Sequence, residues 1–182
     1  DLELKIVSEK YQISQLADIA LEATGASMAK DDFREELSHY IISNTSSKKF
    51  GLPGFTIGFP TPISYFAPFM LKHFDLSKVT KKQDEPLLKE YTPHLGLVLT
   101  KGDTVADWLE TGRVFERTSL LITKHSASVA VWAAPIQMGD FYQQIQKVLG
   151  SSLRPQMFFR MGYAEKKFTG HSPRLTTEEV LK

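Results

Sequence analysis

The chain has 182 residues, 42% of them hydrophobic, 24% charged and 11% aromatic, with a formal net charge of +1. That is about one domain of ordinary globular composition, long enough to bury a core, and its near balance of charge offers no global attraction to nucleic acid or to an anionic membrane. The absence of cysteine excludes a disulfide framework, a thiolate zinc site and a thiol nucleophile, and suits a cytoplasmic protein.

Leu2, Leu4 and Ile6 alternate with Glu3 and Lys5, which predicts a half-buried strand. This opening lacks the basic-then-apolar layout of a signal peptide. With no initiator Met, it reads as the start of a piece of a longer protein. A helix is expected from about Ile13, with Leu16, Ile19, Ala20 and Ala23 on one stripe, Ser14 as its N-cap and Gly25 weakening or ending it. A second helix is expected from about Asp31. Asp31 and Asp32 suit its positive end, and Phe33, Leu37, Tyr40 and Ile41 form its apolar face.

Residues 43–62 are dense in Ser, Gly and Pro and read as a loop. The loop is unusually apolar, carrying Phe50, Leu52, Phe55, Ile57 and Phe59, and a short helix starting near Pro62 is expected over 63–74. Such a segment either packs on its own core or serves as a lid or subunit interface, so 43–76 stands apart as a lid or interface insertion.

Residues 77–91 are charged and read as solvated. A strand follows over 95–100, then a helix over about 104–125 capped by Asp103, with Trp108, Leu109, Phe115 and Leu120 on or near its buried side. Residues 128–133 form a strand or a helix-to-loop connection. An amphipathic helix over 140–149 ends at Gly150, and the run Met157, Phe158, Phe159, Met161 predicts a strand over 156–163 buried on both faces. No internal repeat or domain boundary stands out, so 1–182 reads as a single domain. No apolar run is long enough to span a membrane.

Known catalytic signatures are missing. There is no Walker A loop, no Gly-x-Gly-x-x-Gly turn and no Gly-x-Ser-x-Gly elbow. His39, His73, His94, His125 and His171 lack metal-ligand spacing, so no metal site is expected. Glu35-Glu36 and Glu178-Glu179 are adjacent pairs, which point in different directions on a helix and do not make a carboxylate dyad. An enzyme with such side chains would leave the chemistry to a cofactor.

The C-terminal third is more specific. A long helix is followed by Ala-Pro-Ile-Gln-Met-Gly-Asp-Phe (134–141), another helix, Arg-Pro-Gln-Met-Phe-Phe-Arg-Met-Gly-Tyr (154–163) and Ser-Pro-Arg-Leu (172–175). In order and spacing, over residues 95 to 181, this resembles the FMN-dependent nitroreductase family. The resemblance implies an α+β fold, a mainly antiparallel sheet flanked by helices, completed by a homodimer partner or a second nitroreductase-like domain. It makes Pro135, Ile136, Gln137, Met138 and Gly139 the turn that faces the flavin ring, with the amides of Gln137 and of Met138 or Gly139 as donors. Arg174 matches the basic residue on the FMN phosphate. Arg160 reads as a structural anchor, and Lys166, Lys167 and His171 as a solvated face.

The segment Glu-Leu-Ser-His-Tyr-Ile followed by Phe-Gly-Leu-Pro-Gly-Phe is similar to the flavin-sequestering, two-domain (Acg-like) branch. There the apolar loop starts a lid, which makes Phe55 and Phe59 candidates to contact flavin or substrate. The family also opens with a helix carrying an Arg-Arg-Ser/Thr-x-Arg cluster on the phosphate, and this sequence contains no such cluster. The resemblance therefore implies an oxidoreductase passing electrons from NAD(P)H through FMN to a nitroaromatic, quinone or similar acceptor. The alternative is a non-catalytic flavin-storage or interaction module on the same fold.

Overall fold

The computed structural model describes residues 2–165 and 172–181. In chain order its elements are β1 (Leu2–Val7), α1 (Lys10–Ala29), α2 (Asp31–Tyr40), β2 (Ile41–Ile42), β3 (Leu52–Pro53), α3 (Thr61–Ser64), α4 (Ala67–His73), α5 (Ser77–Lys89), β4 (His94–Thr100), α6 (Val105–Lys124), β5 (Ser128–Val131), α7 (Ala134–Gln137), α8 (Phe141–Leu149), β6 (Arg154–Gly162) and α9 (Thr177–Val180). They form two compact units, one of residues 2–27 and 77–165, the other of 28–76 and 172–181.

The first unit is built on a four-stranded sheet in the order β1-β4-β6-β5, antiparallel throughout. The central strands are covered on both faces, as the apolar runs predict. Every residue of β4 after His94 is buried, and Phe158 and Phe159 of β6 are fully buried. Gly96 lies directly opposite Phe159, and a Cβ there would fall 2.2 Å from the ring. The missing side chain is what lets this ring lie across the strand, where Phe115 of α6 meets it edge-on at 5.3 Å between centroids. Of the two readings open for 128–133, the strand is realised as β5.

Helix α1 packs Ile13, Leu16, Ala17, Ile19, Ala20 and Leu21 into this core. It begins before Ser14, which is therefore not its cap, and it continues through Gly25 to Ala29. Burial of a whole helix face outweighs the roughly 1 kcal/mol that an interior glycine costs. Residues 77–91, expected to be merely solvated, contain α5. Its outer side is exposed, but Leu88 is fully buried, and Lys89 reaches Asp18 at 2.7 Å.

Helix α6 is capped by Thr104, not Asp103. The Thr104 hydroxyl accepts from the Asp107 N–H, and Asp107 accepts in return from the Thr104 N–H, a capping box. Asp103 instead accepts from Trp108 Nε1 at 2.7 Å and Gln156 Nε2 at 3.1 Å, bonds that hold its carboxyl below the usual range. The expected buried side of α6 is also corrected. Phe115 packs inward, but Trp108, Leu109 and Leu120 are exposed, because the sheet covers only the narrow side marked by Thr111, the helix's one buried residue.

The second unit has a smaller core of Ile41, Ala67 and Leu71, with Leu37, Phe59 and Leu76 packed against it. On α2 the inward residues are Arg34 and Ser38, whereas Phe33 and Tyr40 are exposed. Arg34 can bury its stem because its guanidinium is used locally, donating to Met28 O at 2.9 Å and pairing with Asp31. The 43–62 loop holds more structure than expected, since β3 pairs in parallel with β2 and Gly54–Ile57 makes a 3-10 turn. The expected helix over 63–74 is two helices, α3 and α4, each with Pro at its start.

Candidate functional site

The turn singled out by the resemblance is the single helical turn α7, followed by Met138 and Gly139. The junction leading into it is held by Trp132, whose backbone N–H donates to Phe158 O at 2.9 Å and whose Nε1 donates to Thr24 Oγ1 at 3.0 Å. Pro135 is fully buried, and Ile136 packs half-buried on the first core. Gln137 and Gly139 are exposed, with Met138 half-buried between them. The turn is thus anchored from beneath and open above.

Its amides are not equivalent. The Gln137 N–H donates to Ala133 O at 3.1 Å, and the Met138 N–H donates to Ala134 O at 2.9 Å. The Gly139 N–H has no acceptor among the described residues. Gly139 has φ 44°, a left-handed conformation that glycine adopts without penalty, and a Cβ built there would meet nothing within 4 Å among the described residues. One unspent donor therefore sits at an open surface. That N–H is open to solvent or to the acceptor of a ligand.

Arg174 belongs to the second unit. It is exposed, and its Nη1 donates to Ser172 Oγ at 2.6 Å and to the carbonyls of Ser172 and Pro173 at 3.1 and 3.2 Å. Lys166, Lys167 and His171 lie outside the described residues. Arg160 donates through Nη1 to Leu87 O at 3.5 Å and faces the charge of Asp84, whose carboxyl is pushed up by burial. That arrangement fastens β6 to α5.

Phe55 and Phe59 are both half-buried. Phe59 packs on the core of the second unit, and the Phe55 N–H donates to Asn44 Oδ1 at 2.7 Å. Asn44 organises the whole loop. Its Nδ2 donates to Phe59 O at 3.0 Å and Thr61 Oγ1 at 3.3 Å, while its N–H donates to Ser64 Oγ at 3.0 Å. The large apolar side chains this unit leaves exposed include Phe50, Tyr65, Phe66, Phe69 and Phe74.

Sequence reasoning missed Asn44 and the Trp132–Thr24 pair. The one signal for the latter was Trp132 itself, since a buried indole N–H must find an acceptor. No described helix is long and apolar enough to cross a membrane, and the described residues contain no group of three or more His, Asp or Glu able to hold a metal ion.

Comparison with known proteins places this geometry in a fold. No protein-family model and no curated protein sequence matches the chain. Its structure is similar to the FMN-dependent nitroreductase NfnB from Mycobacterium smegmatis in complex with NADPH, with a TM-score of 0.55 and 14% identity over 98% of this chain and 76% of that one. It is likewise similar to the FMN and NADPH-dependent nitroreductase NfnB from sphigopyxis sp. strain HMH, with a TM-score of 0.54 and 15% identity over 100% of this chain and 78% of that one. Oxidized iodotyrosine deiodinase bound to FMN and 3-iodo-L-tyrosine gives a TM-score of 0.50 and 16% identity over 97% and 73%. The chain has the nitroreductase fold: an α+β architecture with an antiparallel sheet flanked by helices.

Proposed function

We propose that this chain is a flavin-binding oxidoreductase of the nitroreductase type, holding FMN with its ring against the Pro135–Gly139 turn. The observation that carries this reading is the Gly139 N–H, an unspent donor on an exposed left-handed turn whose base is locked by Pro135 and Trp132. Bound FMN would accept a hydride from NAD(P)H and deliver electrons to a nitroaromatic, quinone or similar acceptor. The chain's own part is positional. The Gly139 N–H would donate to the ring edge, favouring negative charge there, and buried Pro135 with half-buried Ile136 keeps the turn from yielding. Arg174 is the residue we assign to the phosphate, a role for which its guanidinium would leave the Ser172 and Pro173 oxygens. Phe55 and Phe59, on the segment we read as a lid, are assigned to ring or substrate contact.

Titration of the purified chain with FMN and with riboflavin tests this. Binding should quench flavin fluorescence, and NADPH or NADH should bleach the bound flavin. Arg174→Ala should weaken FMN by about 1.5–3 kcal/mol and leave riboflavin unchanged. A chain that binds neither flavin overturns the reading. Binding without reduction by either nicotinamide would leave a flavin-storage module in its place.

A further inference from the structure

An open groove of about 720 Å³ lies on the first unit at the end of the sheet where β4 finishes and β6 begins. It gathers the last turn of α8 rather than the Pro135–Gly139 turn that precedes that helix, and none of the turn's residues lines it. Among its lining side chains Lys101, Lys147 and Arg154 are cationic and only Asp103 is anionic. A chain of net charge +1 therefore concentrates positive charge in one place.

Arg154, the first residue of β6, is the group around which the groove is organised. Its guanidinium carbon lies 3.4 Å from the centroid of the Tyr142 ring, a contact that uses the ring face and leaves the N–H donors free. Its Nε is buried without a partner among the described residues. Its ion pair, Nη2 to Asp103 Oδ2 at 3.6 Å, is too long for a hydrogen bond. Asp103 is held off by its other bonds, since Oδ1 already accepts from Trp108 and Gln156. A cation placed in this way lacks an acceptor.

The walls on either side are braced. The register of β4 against β6 shifts between Val98 and Leu99, whose partners are Met157 and Pro155, so Gln156 is the extra residue of a bulge. A bulge re-aims a side chain. Here it directs Gln156 Nε2 to Thr100 Oγ1 at 3.0 Å, Gly102 O at 3.1 Å and Asp103 Oδ1 at 3.1 Å, which fixes the segment carrying Lys101. On the opposite wall Gln146 Nε2 donates to Ser152 O and Leu153 O, both at 3.0 Å, and fixes the connection from α8 to β6.

We propose that this groove binds the phosphate group of a small molecule, a phosphomonoester or free phosphate, with Arg154 as its bidentate donor and Lys101 and Lys147 adding charge from the two walls. Three cations against one carboxylate leave an excess of two positive charges, which suits a dianion. Neither the turn nor Arg174 takes part, so this inference does not rest on the flavin reading.

Amide NMR titration of the 182-residue chain with sodium phosphate and with glycerol phosphate tests it, against sodium chloride at equal ionic strength. Saturable shifts should appear over residues 101–103 and 150–154. Tighter binding of glycerol phosphate identifies a phosphomonoester as the ligand, and equal or tighter binding of inorganic phosphate identifies the free ion. Arg154→Gln should raise the Kd about tenfold or more. Arg154→Lys keeps the charge but loses the fork, and should recover only part of that. Lys147→Gln, an exposed change that leaves the Tyr142 contact intact, should raise the Kd about threefold. Circular dichroism checks the folding of each variant. No saturable shifts, shifts that chloride reproduces, or a folded Arg154→Gln or Lys147→Gln that binds as the wild type does would each overturn the proposal. Flavin quenching by FMN should be the same in Arg154→Gln as in the wild type. A chain that binds phosphate in this groove and no flavin keeps this inference and loses the flavin reading, and the converse result does the reverse.

Discussion

The sheet-based unit and the 28–76 segment solve the same problem with different means. In the first, the central strands and α1 bury Leu16, Leu95, Leu97, Leu99 and Phe158 completely, and burial of that extent is what stabilises a fold. In the second, three small or medium side chains form the buried core, while Phe66, Phe69 and Phe74 stay exposed. Polar bonding fills the gap. Asn44 uses its amide, its carbonyl oxygen and its backbone N–H to gather residues 55 to 64, and Lys49 pairs with Glu179. The hydrogen bonds of Asn44 thus carry much of the order of residues 44–64.

The sharpest way to break this contrast is Phe158→Ala. Removing a fully buried ring should cost about 3–5 kcal/mol by urea denaturation, and a loss under about 1 kcal/mol would mean the sheet core can collapse around the gap. Asn44→Ala should cost less, about 1–3 kcal/mol, from the donors and acceptors it strands. Its effect should be local, read as faster amide exchange over residues 43–64 with the sheet protected. If exchange rises equally in β4 and β6, the two regions do not differ as described. The smallest expected effect is alkaline. Bonds from Lys89 to Asp18 and Glu85 raise the Lys89 ammonium above its ordinary value. Its contribution is therefore full below the unfolded pKa of about 10.4 and fades as pH rises through the higher folded value. Lys89→Met should lower the melting temperature near neutrality and converge with wild type at high pH. A constant offset across the range would assign the loss to packing instead.

Legibility followed the same division. Strands over 95–100 and 156–163 were readable because burial on both faces demands unbroken apolar runs, and Leu95–Leu99 and Met157–Phe159 supply them. The C-terminal end of α8 was readable from Gly150, and the turn at 134–139 from its resemblance to a known motif. Segment 28–76 was read less well, because Asn44 gathers its loop through side-chain and backbone bonds to residues 11 to 20 positions away, and no periodic signal marks such partners. The faces of α2 and α6 were misjudged for a related reason. Apolar spacing shows that a helix has an apolar side, not whether the chain itself covers it. Phe33, Leu109 and Leu120 belong to sides it leaves open.

By itself, then, the sequence determined the buried strands, which depend on local periodicity, while the α+β class and the interest of the Pro-Ile-Gln-Met-Gly turn came from the resemblance of its C-terminal motifs to a known family. Tertiary structure alone decided which of the turn's amides is left unspent, that Gly96 makes room for Phe159, and that one face of α6 is left uncovered. Those outcomes depend on which distant side chains arrive first to satisfy a donor or fill a space, and neighbours in sequence carry no record of that.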